Sequence, residues 1–277
     1  MKRNSAEKIV LYLLLAFFVI LFLFPIYWAI TTSFKSTGQI MKVPPEFIPS
    51  KWVLQNYIEV FTKHQIGTYF LNSMFVAITS TACAIIVATF AGYGFSRFKF
   101  KGRAFWQYAI IVMRMVPGLV FIIPYYIIFQ KLGILDTLFT LIIVYVTAAL
   151  PLAIWLFMGF FDELPTEIFE AARIDGCNEF NTYWRIALPL IVPGIVVAAI
   201  LVFLAAYNEF SLSLVLIFTD QNKTLPLGIS GMIQLQKDTP FGTLAAAGTI
   251  AFIPALILAL TTQKYIQAGI TAGAVKG

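Results

Sequence analysis

Six times along this chain the side chains stay apolar for a stretch long enough to cross a bilayer, and six times a charged or turn-forming segment interrupts them. Crossing about 30 Å of hydrocarbon takes roughly 20 helical residues, so the pattern predicts six transmembrane helices, over residues 9–31, 69–93, 104–129, 138–160, 190–217 and 243–262. Two connections differ from the rest. The first, residues 32–68, is long and polar. The other, residues 161–189, is rich in acidic groups and carries its own helix signals, and a tail of residues 263–277 follows the last run.

Prolines at Pro25, Pro117, Pro124, Pro151, Pro193 and Pro254 fall inside the predicted spans. Each removes a helix hydrogen bond and permits a bend, which suits a moving pathway and is also common in membrane helices. Small residues gather at Ala88, Ala91 and Gly92 in the second span and at Ala245, Ala246, Ala247 and Gly248 in the sixth. They allow helix backbones to approach closely, as in a compact bundle. Two ionisable residues interrupt the apolar runs, Arg114 and Glu209. An exposed charge at mid-bilayer costs at least about 2.5 to 3.5 kcal/mol, so each should face protein or water, at a pathway or gate or as a bundle-stabilising group.

Composition narrows the class. A chain of 277 residues that is 60% hydrophobic and 12% charged has too little polar surface to cover a soluble globule. The net charge of +6 comes from short clusters flanking the apolar runs, which argues for membrane topology and against nucleic acid. Lys2, Arg3 and Lys8 precede the first run, and Arg97, Lys99, Lys101 and Arg103 follow the second. The positive-inside bias puts both on the cytoplasmic side, with both termini inside. The first run is too long for a signal peptide and lacks a small-residue cleavage pattern, so it reads as a retained span. Cys83 and Cys177 then lie in different compartments and form no disulfide or thiolate metal site, and the lone His64 reads as a solvated surface residue.

Within residues 161–189, Pro165 suits a first helical turn, Glu167 lies near the positive end of that helix, and Gly176 can take the left-handed conformation that closes it. Asn178 is a cap for a second helix ending near Pro189. Phe180, Tyr183 and Trp184 share one face of that helix by their spacing. Such a face should be buried on the membrane interface, beneath the chain's own bundle, or in a groove of a cytoplasmic partner. The acidic content disfavours the first; spacing does not decide between the others.

Glu170-Ala171-Ala172, Gly176 and then Ile186-Ala187-Leu188-Pro189 match the EAA signature of permease subunits of ABC importers in residue type and spacing. Further segments resemble the carbohydrate-uptake branch, in particular the smaller permease of maltose-type systems: Pro25-Ile26-Tyr27-Trp28, Ser33-Phe34-Lys35, Asn56-Tyr57, Leu132 to Thr137, Asn208-Glu209-Phe210 and the C-terminal Gln263 to Gly277. One departure is Ala206-Tyr207 before Asn208, where relatives often carry Trp.

The resemblance implies an all-α, polytopic bundle of the type I importer fold. It also implies a second permease subunit, two ATP-binding subunits, an extracytoplasmic binding protein and a carbohydrate substrate. Residues 161–189 would supply the helix that enters a cleft of the ATPase, with Glu170, Ala171, Ala172 and Gly176 as its signature and Phe180, Tyr183 and Trp184 packing it. Candidate pathway or gate residues are Arg114, Asn208 and Glu209, and the external loop of residues 219–242 could meet the binding protein. No Gly-x-x-x-x-Gly-Lys-Ser/Thr loop is present, so ATP and Mg²⁺ belong to the partner ATPase and this chain needs no cofactor. Import of glycerol 3-phosphate is the near alternative. An ion-coupled secondary transporter or a purely structural membrane subunit would leave the EAA segment unexplained, and no internal repeat is visible.

Overall fold

The computed structural model describes residues 5–233 and 239–274, with side chains described over 7–233 and 239–263. It is helical throughout, with no strand among the described residues. In chain order the helices are α1 (Ser5–Ser33), α2 (Thr37–Ile40), α3 (Gln55–Thr62), α4 (Ile66–Arg97), α5 (Arg103–Met115), α6 (Ile122–Leu132) and α7 (Leu138–Asp162). There follow α8 (Thr166–Ile174), α9 (Glu179–Thr182), α10 (Leu188–Leu190), α11 (Val192–Tyr207), α12 (Ser211–Leu216), α13 (Leu225–Ser230) and α14 (Phe241–Ala274).

Four of the six predicted spans are single helices: α1, α4, α7 and α14. The other two differ from the expectation. The predicted third span is not continuous: α5 ends at Met115, and the chain turns by 92° before the stretch Gly118–Leu132. The fifth is shorter than expected, because α11 meets the preceding helix at a 76° bend and stops at Tyr207. A Pro-Gly pair marks both bends, Pro117-Gly118 and Pro193-Gly194. Pro25, Pro151 and Pro254 stay inside long helices, and Pro124 sits in the first turn of α6, where its missing N–H costs nothing. Helix α14 continues past residue 262 to Ala274, so most of the expected tail is helical, and residues 275–277 lie outside the described residues.

The chain divides into two compact units, residues 1–68 with 228–253 and residues 69–227 with 254–277. In the first, α1 is apolar on every face and its side chains from Ile9 to Phe24 are exposed, as a surface for lipid or another helix. The segment after it is tied down by polar residues. Asn56 donates to the carbonyls of Ser33 and Lys35, both at 2.8 Å, and Ser33 Oγ shares a 2.9 Å hydrogen bond with Tyr57. Lys35 is buried, donates to the Glu46 carbonyl at 2.5 Å and lies 4.3 Å from the Trp28 ring centroid. These contacts give physical work to the Trp28, Ser33-Phe34-Lys35 and Asn56-Tyr57 segments.

The second unit holds the main core. Helices α4 and α7 touch at Gly92, where an added Cβ would stand 2.6 Å from Phe157 Cβ and 3.0 Å from the Met158 nitrogen. Ala88, Ala153, Phe157 and Ala198 are fully buried around that crossing. A second core gathers Val76, Leu141, Val144 and Leu216. Its corner is the stretch Leu132 to Thr137. Gly133 (φ +70°) closes α6, Asp136 (φ +61°) accepts from the Phe218 and Thr219 amides at 2.8 and 3.1 Å, and Thr137 caps α7.

Candidate functional site

The segment between α7 and α11 is built as the local signals require. Helix α8 opens behind Pro165 and closes at Gly176 (φ +76°), where the Cys177 amide reaches back to the Ala172 carbonyl at 2.9 Å and the Gly176 amide to that of Arg173 at 3.1 Å. That six-to-one and five-to-two pattern satisfies the orphan carbonyls of the last turn. Asn178 then caps α9, its Oδ1 accepting from the Asn181 amide at 2.8 Å. Beyond α9 the chain widens into one π turn, Tyr183–Ala187.

This segment has two faces. Phe169, Ala172, Thr182, Tyr183 and Ala187 are buried. Tyr183 donates to Thr89 Oγ1 at 2.9 Å, stacks on Phe90 at 4.7 Å and meets Tyr93 edge-on at 5.2 Å. On the other face Glu170, Ala171, Arg173, Asp175 and Gly176 are exposed, and large apolar groups stand out among them: Ile174 is 86% exposed, Phe180 64% and Trp184 45%. The expected aromatic trio is therefore divided. Phe180 and Trp184 point outward, their rings 6.2 Å apart, whereas Tyr183 packs beneath the chain's own bundle and is not available to a partner. Of the signature residues Ala172 belongs to the buried face and Glu170 and Ala171 to the exposed one. Arg173 and Glu179 form a largely exposed 2.9 Å ion pair, the kind that contributes little.

A second constellation lies beside the exposed end of α5. Arg114, at the end of α5, and Glu209 both line a cavity of about 230 Å³, together with Tyr145, Ala148, Leu152 and Ala206. Glu209 follows the end of α11, and its carboxylate accepts from Tyr145 OH at 2.8 Å and from the Leu212 and Ser213 amides at 2.7 and 3.1 Å. It thus caps α12 and ties the helix break to α7. Asn208 is the C-cap of α11, its side chain donating to the Leu204 carbonyl at 2.9 Å, and it is not among the residues lining the cavity. Sequence reasoning missed Tyr145, whose one signal is a phenol in the middle of an apolar run.

The sequence pattern of a family described as "Binding-protein-dependent transport system inner membrane component" matches residues 84–272, well over half of the chain. The chain is 32% identical over 277 residues to the inner membrane ABC transporter permease protein YcjP of Escherichia coli (strain K12), covering 99% of each. It is 33% identical over 279 residues to the trehalose/maltose transport system permease protein MalG of Thermococcus litoralis, covering 100% of each. Among solved structures, a chain of a bacterial ABC transporter involved in the import of the acidic polysaccharide alginate has the same fold, with a TM-score of 0.84 at 21% identity over 96% of this chain and 99% of that one. The chain belongs to the inner-membrane components of binding-protein-dependent transport systems, the permease subunits of ABC importers, in which ATP is hydrolysed on a separate subunit.

Proposed function

We propose that this permease carries a carbohydrate, delivered by an external binding protein, and takes its energy from two ATP-binding subunits docked on residues 161–189. One observation carries the docking reading: the exposed apolar tip of Ile174, Phe180 and Trp184 stands on a base that is buried in the chain's own core. A fixed base with an exposed apolar surface is what a force-bearing contact needs, since a loose segment would absorb the motion. On this reading the tip is cytoplasmic, both termini are inside, and ATP and Mg²⁺ bind the partner. A second permease completes the pathway. The cavity lined by Arg114 and Glu209 forms part of it, with Asn208 fixing the adjacent helix end.

The carbohydrate reading rests on the trehalose/maltose relative, at 33% identity over the whole chain. Arg114 has no ion-pair partner among the described residues and so favours, as the second reading, a phosphorylated polyol such as glycerol 3-phosphate. The test is reconstitution of the chain with its partner permease, ATPases and binding protein in vesicles, with ATP hydrolysis followed as candidate ligands are added. Stimulation by a neutral di- or oligosaccharide supports the first reading. Stimulation by glycerol 3-phosphate alone overturns it in favour of the second, and stimulation by neither class rejects both.

A further inference from the structure

The basic cluster after α4 serves topology in the sequence reading, but one of its members does something the others do not. Arg97 is the last residue of α4, and its guanidinium carbon lies 3.8 Å from the centroid of the Phe169 ring on α8. The same guanidinium donates to the carbonyl of Phe161, in the last turn of α7, and to that of Leu164 at 3.1 Å. The Phe161 oxygen, which also accepts from the Leu164 amide at 3.2 Å, lies at the end of α7, where the helix dipole favours a cation. Neighbours reinforce the joint: Ser96 Oγ donates to Asp162 Oδ1 at 2.6 Å, and Tyr93 OH donates to Glu179 Oε2 at 3.4 Å. Three helices, α4, α7 and α8, thus meet at one side chain. Lys99 and Lys101, in the same loop, are exposed.

We propose that Arg97 is the positioning residue that locks the docking segment to α4 and α7, so that displacement of the exposed tip moves both membrane helices together. The proposal rests on the docking function of residues 161–189. Both bonds leave one terminal nitrogen, Nη2, and a lysine ammonium could also donate twice; what lysine lacks is the planar face that a guanidinium lays on the Phe169 ring while it donates. A residue kept only for its charge would tolerate lysine.

The test uses the full transporter in vesicles and reads transported substrate per ATP hydrolysed, a ratio that a merely structural residue leaves unchanged. For Arg97→Lys the complex assembles and basal hydrolysis persists, while the ratio falls about tenfold, within the range typical of a lost coupling free energy. Phe169→Leu keeps the apolar bulk and loses the stacking, and lowers the ratio in the same direction. Lys99→Ala removes a charge in the same loop but outside the joint, and leaves the ratio at the wild-type value. An Arg97→Lys transporter with wild-type stoichiometry overturns the proposal, as does an equal loss in Lys99→Ala. If the Arg97 variant does not assemble, Phe169→Leu decides by the same criterion. If wild-type uptake proves independent of ATP-binding subunits, the docking reading falls and this one with it. ATP-driven wild-type uptake beside a fully coupled Arg97→Lys removes the lock alone.

Discussion

Tyr183 and Phe180 sit three residues apart and should fail in opposite ways when truncated. Tyr183 is 3% exposed, with rings on three sides and a hydrogen bond to Thr89. Replacing a buried aromatic by alanine costs about 3 to 5 kcal/mol, a large part of a stability that is typically about 5 to 15 kcal/mol. Tyr183→Phe isolates the hydroxyl, whose net hydrogen bond is worth about 0.5 to 1.5 kcal/mol. Phe180 is 64% exposed, so its removal should change the stability of this chain by no more than about 0.5 kcal/mol. As an anchor in a partner's groove it should instead cost about 2 kcal/mol or more of docking, roughly 30-fold in affinity. Thermal unfolding of the detergent-solubilised permease reads the first effect, and titration with the purified ATP-binding subunit reads the second. The expected result is a large loss of Tm with Tyr183→Ala, a small one with Tyr183→Phe, and weak docking at unchanged Tm with Phe180→Ala. A thermally normal Tyr183→Ala, or a Phe180→Ala that unfolds early and docks normally once folded, refutes the division of the two faces.

Three further outcomes follow from the geometry. Gly92→Ala should force α4 and α7 apart, because its Cβ would stand 2.6 Å from Phe157 Cβ; overpacking of this kind costs about 1 to 3 kcal/mol, and an unchanged Tm would contradict the close crossing. Glu209→Ala strips the Leu212 and Ser213 amides and the Tyr145 hydroxyl of their acceptor. Each buried group left unpaired costs about 1 to 3 kcal/mol, so thermal stability should drop more than in Glu209→Gln, which keeps one carbonyl oxygen; equal Tm values in the two variants would remove the capping role. The Glu46 carboxyl, held by hydrogen bonds from Lys42 and Ser50, titrates at about 2 instead of its ordinary 4.5. Its contribution is complete above 4.5 and is lost as pH falls through about 2, so a carboxyl NMR titration with a midpoint near 4.5 would show that the Lys42 contact is absent.

The positions of the spans were legible because lipid demands an apolar run of fixed length. The bends were not, since apolar residues continue through Met115 to Gly118 and through Ile191. Proline alone does not announce them, for Pro25, Pro151 and Pro254 remain in helices; the Pro-Gly pairs at 117–118 and 193–194 are the signal that was present. In the docking segment the caps at Asn178 and Gly176 could be read from residue type, because each has a local mechanism. Which aromatic turns inward could not. Phe180, Tyr183 and Trp184 share a face in an ideal helix, but Thr89 and Phe90, far away in sequence, supply the pocket that takes Tyr183. Arg97 was visible only as a charge, since its partners are two backbone carbonyls and a ring 64 to 72 residues later, which no local pattern displays.

The most direct test places a photocrosslinking side chain at position 180 in the assembled transporter and identifies what it captures. The account predicts a product with the ATP-binding subunit, absent when that subunit is withheld, and no product with the external binding protein. Capture of the binding protein, or of this permease alone while ATP-driven uptake proceeds, would contradict it.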